Sequence, residues 1–184
     1  MKTFEKLKNN FPINWTTVLV GWEGLGMISP WPDKWNKSSP LLTINEIYEF
    51  CYEIIGKTNN SKEINLIVEI LEFEKKDPDR ELVRCLLTPL SELYNGDKTF
   101  EIRKWRAVML SELLEQLHGD ALDNSLQIGE FWMYYGFLLD NPMKHPDIDN
   151  VSSNEYGSKK YINRVIAINK KWLQNEFLFI KGVK

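Results

Sequence analysis

The residues able to do chemistry are few in this chain, and their spacing matches no complete catalytic or metal-binding pattern. Only two histidines occur, His118 and His145. His118 stands before Gly119 at an expected helix end, where an imidazolium would complement the helix dipole, and His145 stands beside Pro146 in a polar stretch. Neither has a neighbouring nucleophile in a local motif. Glu115-Gln116-Leu117-His118 fits the Glu-x-x-His spacing of di-iron bundles, but such a site needs two copies and this one stands alone, at no convincing position. Asp140, Asn141, Asp147, Asp149 and Asn150 offer hard oxygen ligands, yet their spacing is not that of an EF-hand. A solvated acidic loop is therefore expected, with no metal and no cofactor.

Gly21-Trp22-Glu23-Gly24-Leu25-Gly26 superficially looks like a phosphate-binding loop. A dinucleotide fingerprint needs a strand before it and a helix after it. Here a helical pattern precedes it and a proline-rich segment follows, so the glycines are read as a helix-ending turn. Cys51 and Cys85 fall inside helical patterns and are read as buried, reduced thiols. Arg103, Lys104 and Arg106 flank Trp105, and Lys159, Lys160, Lys170 and Lys171 cluster near the C-terminus. Glutamates are interleaved at helical spacing, so these groups are read as solvated faces.

The elements that would position such residues are helical. Pro12 ends a short amphipathic helix, and Asn14 can cap a second one through Trp15, Val18, Leu19 and Trp22. Thr43 with Glu46, and Asn60 with Glu63, read as capping boxes opening two more helices. Leu82 to Tyr94 continues the pattern, with Pro89 expected to kink or restart it. Long helices follow from Thr99 to near Gly119, from about Asp123 to Leu139, and from about Ser158 to Phe177. The run Phe131 to Leu139 is apolar nearly all round, as expected of a helix at the centre of a bundle. Only Phe177 to Ile180 offers any competing strand pattern. The expected fold is all-α: a single-domain multi-helix bundle, or a short α-α superhelix of antiparallel helices, over residues 1–184. Irregular loops are expected near 27–42 and 141–157.

Composition bounds the function. The 184 residues are 43% hydrophobic and carry a net charge of -3, which does not favour nucleic acid as a partner. No apolar run is long enough to span a bilayer, and the N-terminus lacks a secretion signal, so a cytoplasmic protein is expected. Seven tryptophans are an unusual load, and Trp31 and Trp35 lie in a segment rich in proline and serine. Trp22, Trp31 and Trp35 are the candidate binding residues, since exposed aromatic rings make effective interface anchors. The alternative is that these rings cap the core.

Two blocks carry a resemblance. Asn14-Trp15, Gly21 and Gly26-Met27-Ile28-Ser29 form one; Lys104-Trp105, Leu110, Leu113-Leu114, Leu122, Leu126, Ile128, Glu130, Asp140 and Pro142 form the other. Together they resemble a bacterial family of small proteins known only as a domain of unknown function (number twenty-two forty-seven). The resemblance implies a bacterial source and supplies no catalytic residue. The expected function is a non-enzymatic protein-binding module, such as an immunity protein that neutralises a cognate toxin domain. The rivals are a hydrolase using Glu or Asp with His118, and an α-solenoid scaffold binding a peptide.

Overall fold

Asn14 fixes where the second helix begins. In a computed structural model of the chain, its side chain accepts from the Thr17 backbone amide at 2.9 Å, and the Asn14 amide donates to the Thr17 hydroxyl at 3.1 Å. This reciprocal box starts a helix that is buried on every side. The structure describes residues 3–25, 40–73, 79–135, 141–152 and 155–182. Among them every long element is α-helical and there is no strand. The helices are α1 Thr3–Asn10, α2 Trp15–Glu23, α3 Ile44–Ile55, α4 Ser61–Leu71, α5 Arg80–Glu92, α6 Lys98–Gln116, α7 Ala121–Tyr135, α8 Pro146–Asp149 and α9 Lys159–Ile180. The all-α expectation holds, and Phe177 to Ile180 is helix.

Contacts within the chain group into two units. The first takes α1 to α5 and α6 as far as Trp105; the second takes α6 from Arg106, with α7, α8 and α9.

In the first unit the centre is α2, whose residues Trp15 to Trp22 are all buried. It packs on α5, while α4 packs on both α3 and α5. Phe4 stacks on Trp105 at 6.0 Å, and Trp15 meets Phe50 edge-on at 4.9 Å. Buried Thr16 and Thr17 each find a partner: Ser91 Oγ for the first at 2.8 Å, and Glu101 Oε2 for the second at 2.6 Å. Gly21 is needed for closeness, because a Cβ there would overlap the Trp105 ring and press on Leu42. Gly24, at φ 78°, ends α2 in the left-handed region. Pro89 does not interrupt α5, which runs on to Glu92.

In the second unit α7 packs on α9, and α8 does so too. Its core holds Leu110, Ile128, Phe131, Trp132, Tyr161, Ile162 and Val165. The expectation of an all-round buried helix at Phe131 to Leu139 is corrected for the part described. Phe131 and Trp132 are buried, but Met133 and Tyr134 are exposed; Gly136 to Leu139 lie outside the described residues. The 141–157 stretch is also less irregular than expected. It holds a 3-10 turn at Pro142–Lys144 and the short α8, with Pro142 and Ile148 buried.

One thiol reading is corrected. Cys51 is buried, but Cys85 is exposed, because it sits on α5 opposite the buried row of Val83, Leu87 and Leu90. Burial pushes the Cys51 thiol up to about 12. A disulfide-exchange reagent at pH 8 is therefore expected to label Cys85 alone in the native chain, and both cysteines in denaturant; fast native labelling of Cys51 would contradict its burial. The unfolded thiol releases its proton near 9.0 whereas the folded one keeps it to about 12. Cys51 thus takes stability away as pH rises through that window, by up to about 1.4 kcal/mol per pH unit.

Candidate interaction site

Of the three tryptophans proposed for binding, Trp22 falls among the described residues; Trp31 and Trp35 lie outside them. Trp22 is buried at the last turn of α2, and its indole N–H donates to the Arg80 carbonyl at 3.0 Å. The reverse bonds come from the same residue. Arg80 Nη2 donates to the carbonyls of Trp22 and Glu23, both at 2.9 Å. These are orphan carbonyls at a helix C-terminus, where a cation also complements the dipole. The start of α5 is thereby tied to the end of α2.

Around this tie lies a cavity of about 350 Å³ lined by Trp22, Glu23, Asp79, Arg80, Glu81 and Arg84. Its rim carries both signs of charge. Arg84 forks onto Glu81, with Nε at 2.8 Å from Oε2, and stands 3.7 Å from Glu23. Lys98 bonds the other Glu23 oxygen at 2.9 Å. The guanidinium bond from Arg84 holds the exposed Glu81 carboxyl below the usual carboxylate range, so the pair stays ionised at neutral pH. Such exposed pairs add little stability, but a fixed mixed-charge rim can discriminate between partners. A second, mostly apolar cavity of about 550 Å³ lies in the other unit, lined by Ser111, Leu173, Gln174, Phe177, Leu178 and Lys181.

The residues weighed for catalysis do not converge on this rim. His118 is exposed beyond the end of α6, and Glu115 is exposed on it. His145 caps α8, its Nδ1 accepting the Asp147 amide at 3.2 Å. The same nitrogen lies 3.7 Å from the Asp147 carboxylate. Asn141 caps the 3-10 turn through the Met143 amide at 2.8 Å. Among the described residues, no group of three or more His, Cys, Asp or Glu side chains could hold a metal ion. No described helix is long and apolar enough to cross a membrane.

The profile of the family DUF2247, described as an uncharacterized protein conserved in bacteria, matches residues 4–177. The chain belongs to this family. Neither the curated proteins nor the solved structures yield a match. The DUF2247 match takes in most of both units.

Several of the residues that suggested the family are anchors of packing. Asn14 caps α2, and the Trp15 indole N–H donates to Glu63 at 2.6 Å. Trp105 donates to the Thr17 carbonyl at 2.9 Å. Around them lie polar groups that sequence reasoning misplaced. Lys104 and Arg106 are not on solvated faces but buried. Lys104 donates to Glu101 at 2.8 Å and to the Pro12 carbonyl at 3.0 Å. Arg106 lies against two tryptophan rings and near Glu176. Glu63 does not close a capping box. Asn60 does cap α4, accepting from the Lys62 and Glu63 amides, but the Glu63 carboxylate turns inward to Trp15, Thr58 and Tyr94. Glu101 stands three residues before Lys104, but Trp15 and Tyr94 for Glu63, Pro12 for Lys104 and Glu176 for Arg106 are distant in sequence, so no local motif marks their burial.

Proposed function

We propose that this member of DUF2247 is a non-enzymatic protein-binding module of the immunity type, which binds and blocks a cognate toxin domain in the bacterial cytoplasm. The observation that carries the reading is the mixed-charge rim where α2 ends. Arg80, Arg84 and Lys98 face Glu23, Asp79 and Glu81 there, next in sequence to the segment bearing Trp31 and Trp35. A rim of both signs suits a folded protein partner, whose own charges must match in register. It does not suit a polyanion, which calls for one sign. Tryptophans such as Trp31 and Trp35 are the residue type that most often anchors a protein interface.

The test is co-expression with the products of the neighbouring genes. One of them is expected to arrest growth alone and to be neutralised by this chain through a stable complex. Trp31→Ala with Trp35→Ala, and separately Arg84→Glu, are expected to weaken that complex at least about tenfold, or roughly 1.4 kcal/mol, without unfolding the chain. Finding no toxic neighbour, or full protection by both variants, would sink the proposal.

A further inference from the structure

Among the described residues, one face of α7 is about half exposed, with Leu122 at its start beside the Gly157 turn. Leu122, Leu126, Gly129 and Met133 recur at i, i+4, i+7 and i+11, which puts them in one narrow stripe. The three large side chains are exposed by 46%, 46% and 47%. The buried face of the same helix, with Ser125, Ile128, Phe131 and Trp132, points elsewhere. Gly129 sits in the middle of the stripe, and a Cβ there would meet nothing within 4 Å. A helix-weakening residue thus stands where the packing of the described residues does not ask for one. Along one edge of the stripe run Asp123 and Glu130, both exposed and seven residues apart.

We propose that this stripe is a docking surface for a short basic amphipathic helix, with aliphatic anchors seated along Leu122, Leu126 and Met133 and Lys or Arg side chains facing Asp123 and Glu130. Two features favour that occupant over a second copy of the chain. A self-paired patch is the same on both partners, so it would bring two acidic edges to one interface with no basic residue of the stripe to oppose them. The stripe also offers only a few hundred Å², short of the ~800 Å² per partner that a stable protein–protein interface buries. A single helix laid in register needs no more than such a stripe, and Gly129 lets its backbone come close. The acidic edge likewise disfavours an anionic membrane. This inference does not rest on the toxin reading and concerns a different unit.

The probe is a labelled model helix of about sixteen residues, with leucines at the same spacing and lysines beside them, titrated into the full chain by fluorescence anisotropy. Saturable binding that weakens with salt is expected, and a version with glutamates in place of the lysines should bind at least about tenfold less. Leu126→Glu should weaken the basic helix by about tenfold or more. Asp123→Lys combined with Glu130→Lys should do the same and remove the salt dependence. Gly129→Gln separates docking from folding: it should raise the melting temperature, by improving helix propensity, while lowering the affinity. Equal binding of both peptides, no saturable binding, or binding unchanged by Leu126→Glu would overturn the proposal. A dimer of the chain that Leu126→Glu dissociates, or preferential binding to anionic vesicles, would overturn it too.

Discussion

Glu63→Ala is expected to destabilise the chain by about 3–5 kcal/mol, enough to remove much of the stability of an ordinary domain. Glu63 is 0% exposed, and its carboxylate is the common acceptor for three elements of the first unit. Trp15 of α2 donates its indole N–H at 2.6 Å, Tyr94 beyond α5 donates its hydroxyl at 2.9 Å to each oxygen, and Thr58 before α4 donates its own. Removing the acceptor strands the Trp15 donor in the core, at about 1–3 kcal/mol for an unsatisfied buried group, and adds a cavity. Tyr94 is half exposed and can turn to water, so its loss is smaller. Burial, then the bond to Glu63, pushes the Tyr94 phenol up. Tyr94→Phe should therefore cost only about 1 kcal/mol, since the carboxylate keeps its other two donors. Glu63→Gln should fall between these values, because one amide oxygen remains to accept while the NH2 faces donors. Urea unfolding followed by tryptophan fluorescence and by far-UV circular dichroism measures all three. An ordering in which Tyr94→Phe costs as much as Glu63→Ala would show that the carboxylate is not the organising group.

The Glu63 cluster also shows why parts of the fold were legible and parts were not. Helix starts are written locally. The Thr43–Glu46 box forms in full, with the Thr43 amide donating to Glu46 at 2.8 Å and the Glu46 amide to the Thr43 hydroxyl at 3.3 Å. The Asn60 box is half right, because the tertiary demand of Trp15 outbids the Asn60 amide for the same carboxylate. Periodicity understated the burial of α2 and overstated that of α7. In α2, two threonines and a glycine dilute the apolar signal, yet each is there because something packs directly against it. Around Phe131 the apolar run is continuous, yet Met133 and Tyr134 stay outside. Lys104 does pair with Glu101 at helical spacing, but the pair is buried, and Arg106 finds Glu176 from α9 instead of a neighbour on its own helix. Trp22 could be singled out by type, but the charged rim beside it arises from α5, some 58 residues further along.

Arg106 should be the matching weak point of the second unit, and its variants separate charge from packing. It is 1% exposed, with its guanidinium carbon 5.0 Å from the Trp172 ring and 5.6 Å from the Trp132 ring. Those rings meet edge-on at 4.9 Å, and Trp132 is held in place by an N–H bond to the Asn169 side-chain oxygen Oδ1 at 2.6 Å. Glu176 approaches Arg106 at 3.8 Å, a charge contact rather than a close hydrogen bond. The planar cation thus joins α6, α7 and α9 mainly through ring faces. A desolvated cation–π contact is worth about 2 kcal/mol or more. Arg106→Met is accordingly expected to cost about 3–5 kcal/mol, because it removes the cation and leaves the buried Glu176 charge without it. Arg106→Lys should cost about 2 kcal/mol, since a compact ammonium lacks the broad, weakly hydrated charge that reaches both rings. The informative variant is Arg106→Met with Glu176→Met. A buried ion pair replaced by apolar groups of similar volume is often neutral, so the double variant should recover most of the loss from Arg106→Met alone. If it is as unstable as the sum of its single substitutions, the pair is uncoupled. The ring contacts, rather than the buried charge, would then hold α6 in the second unit.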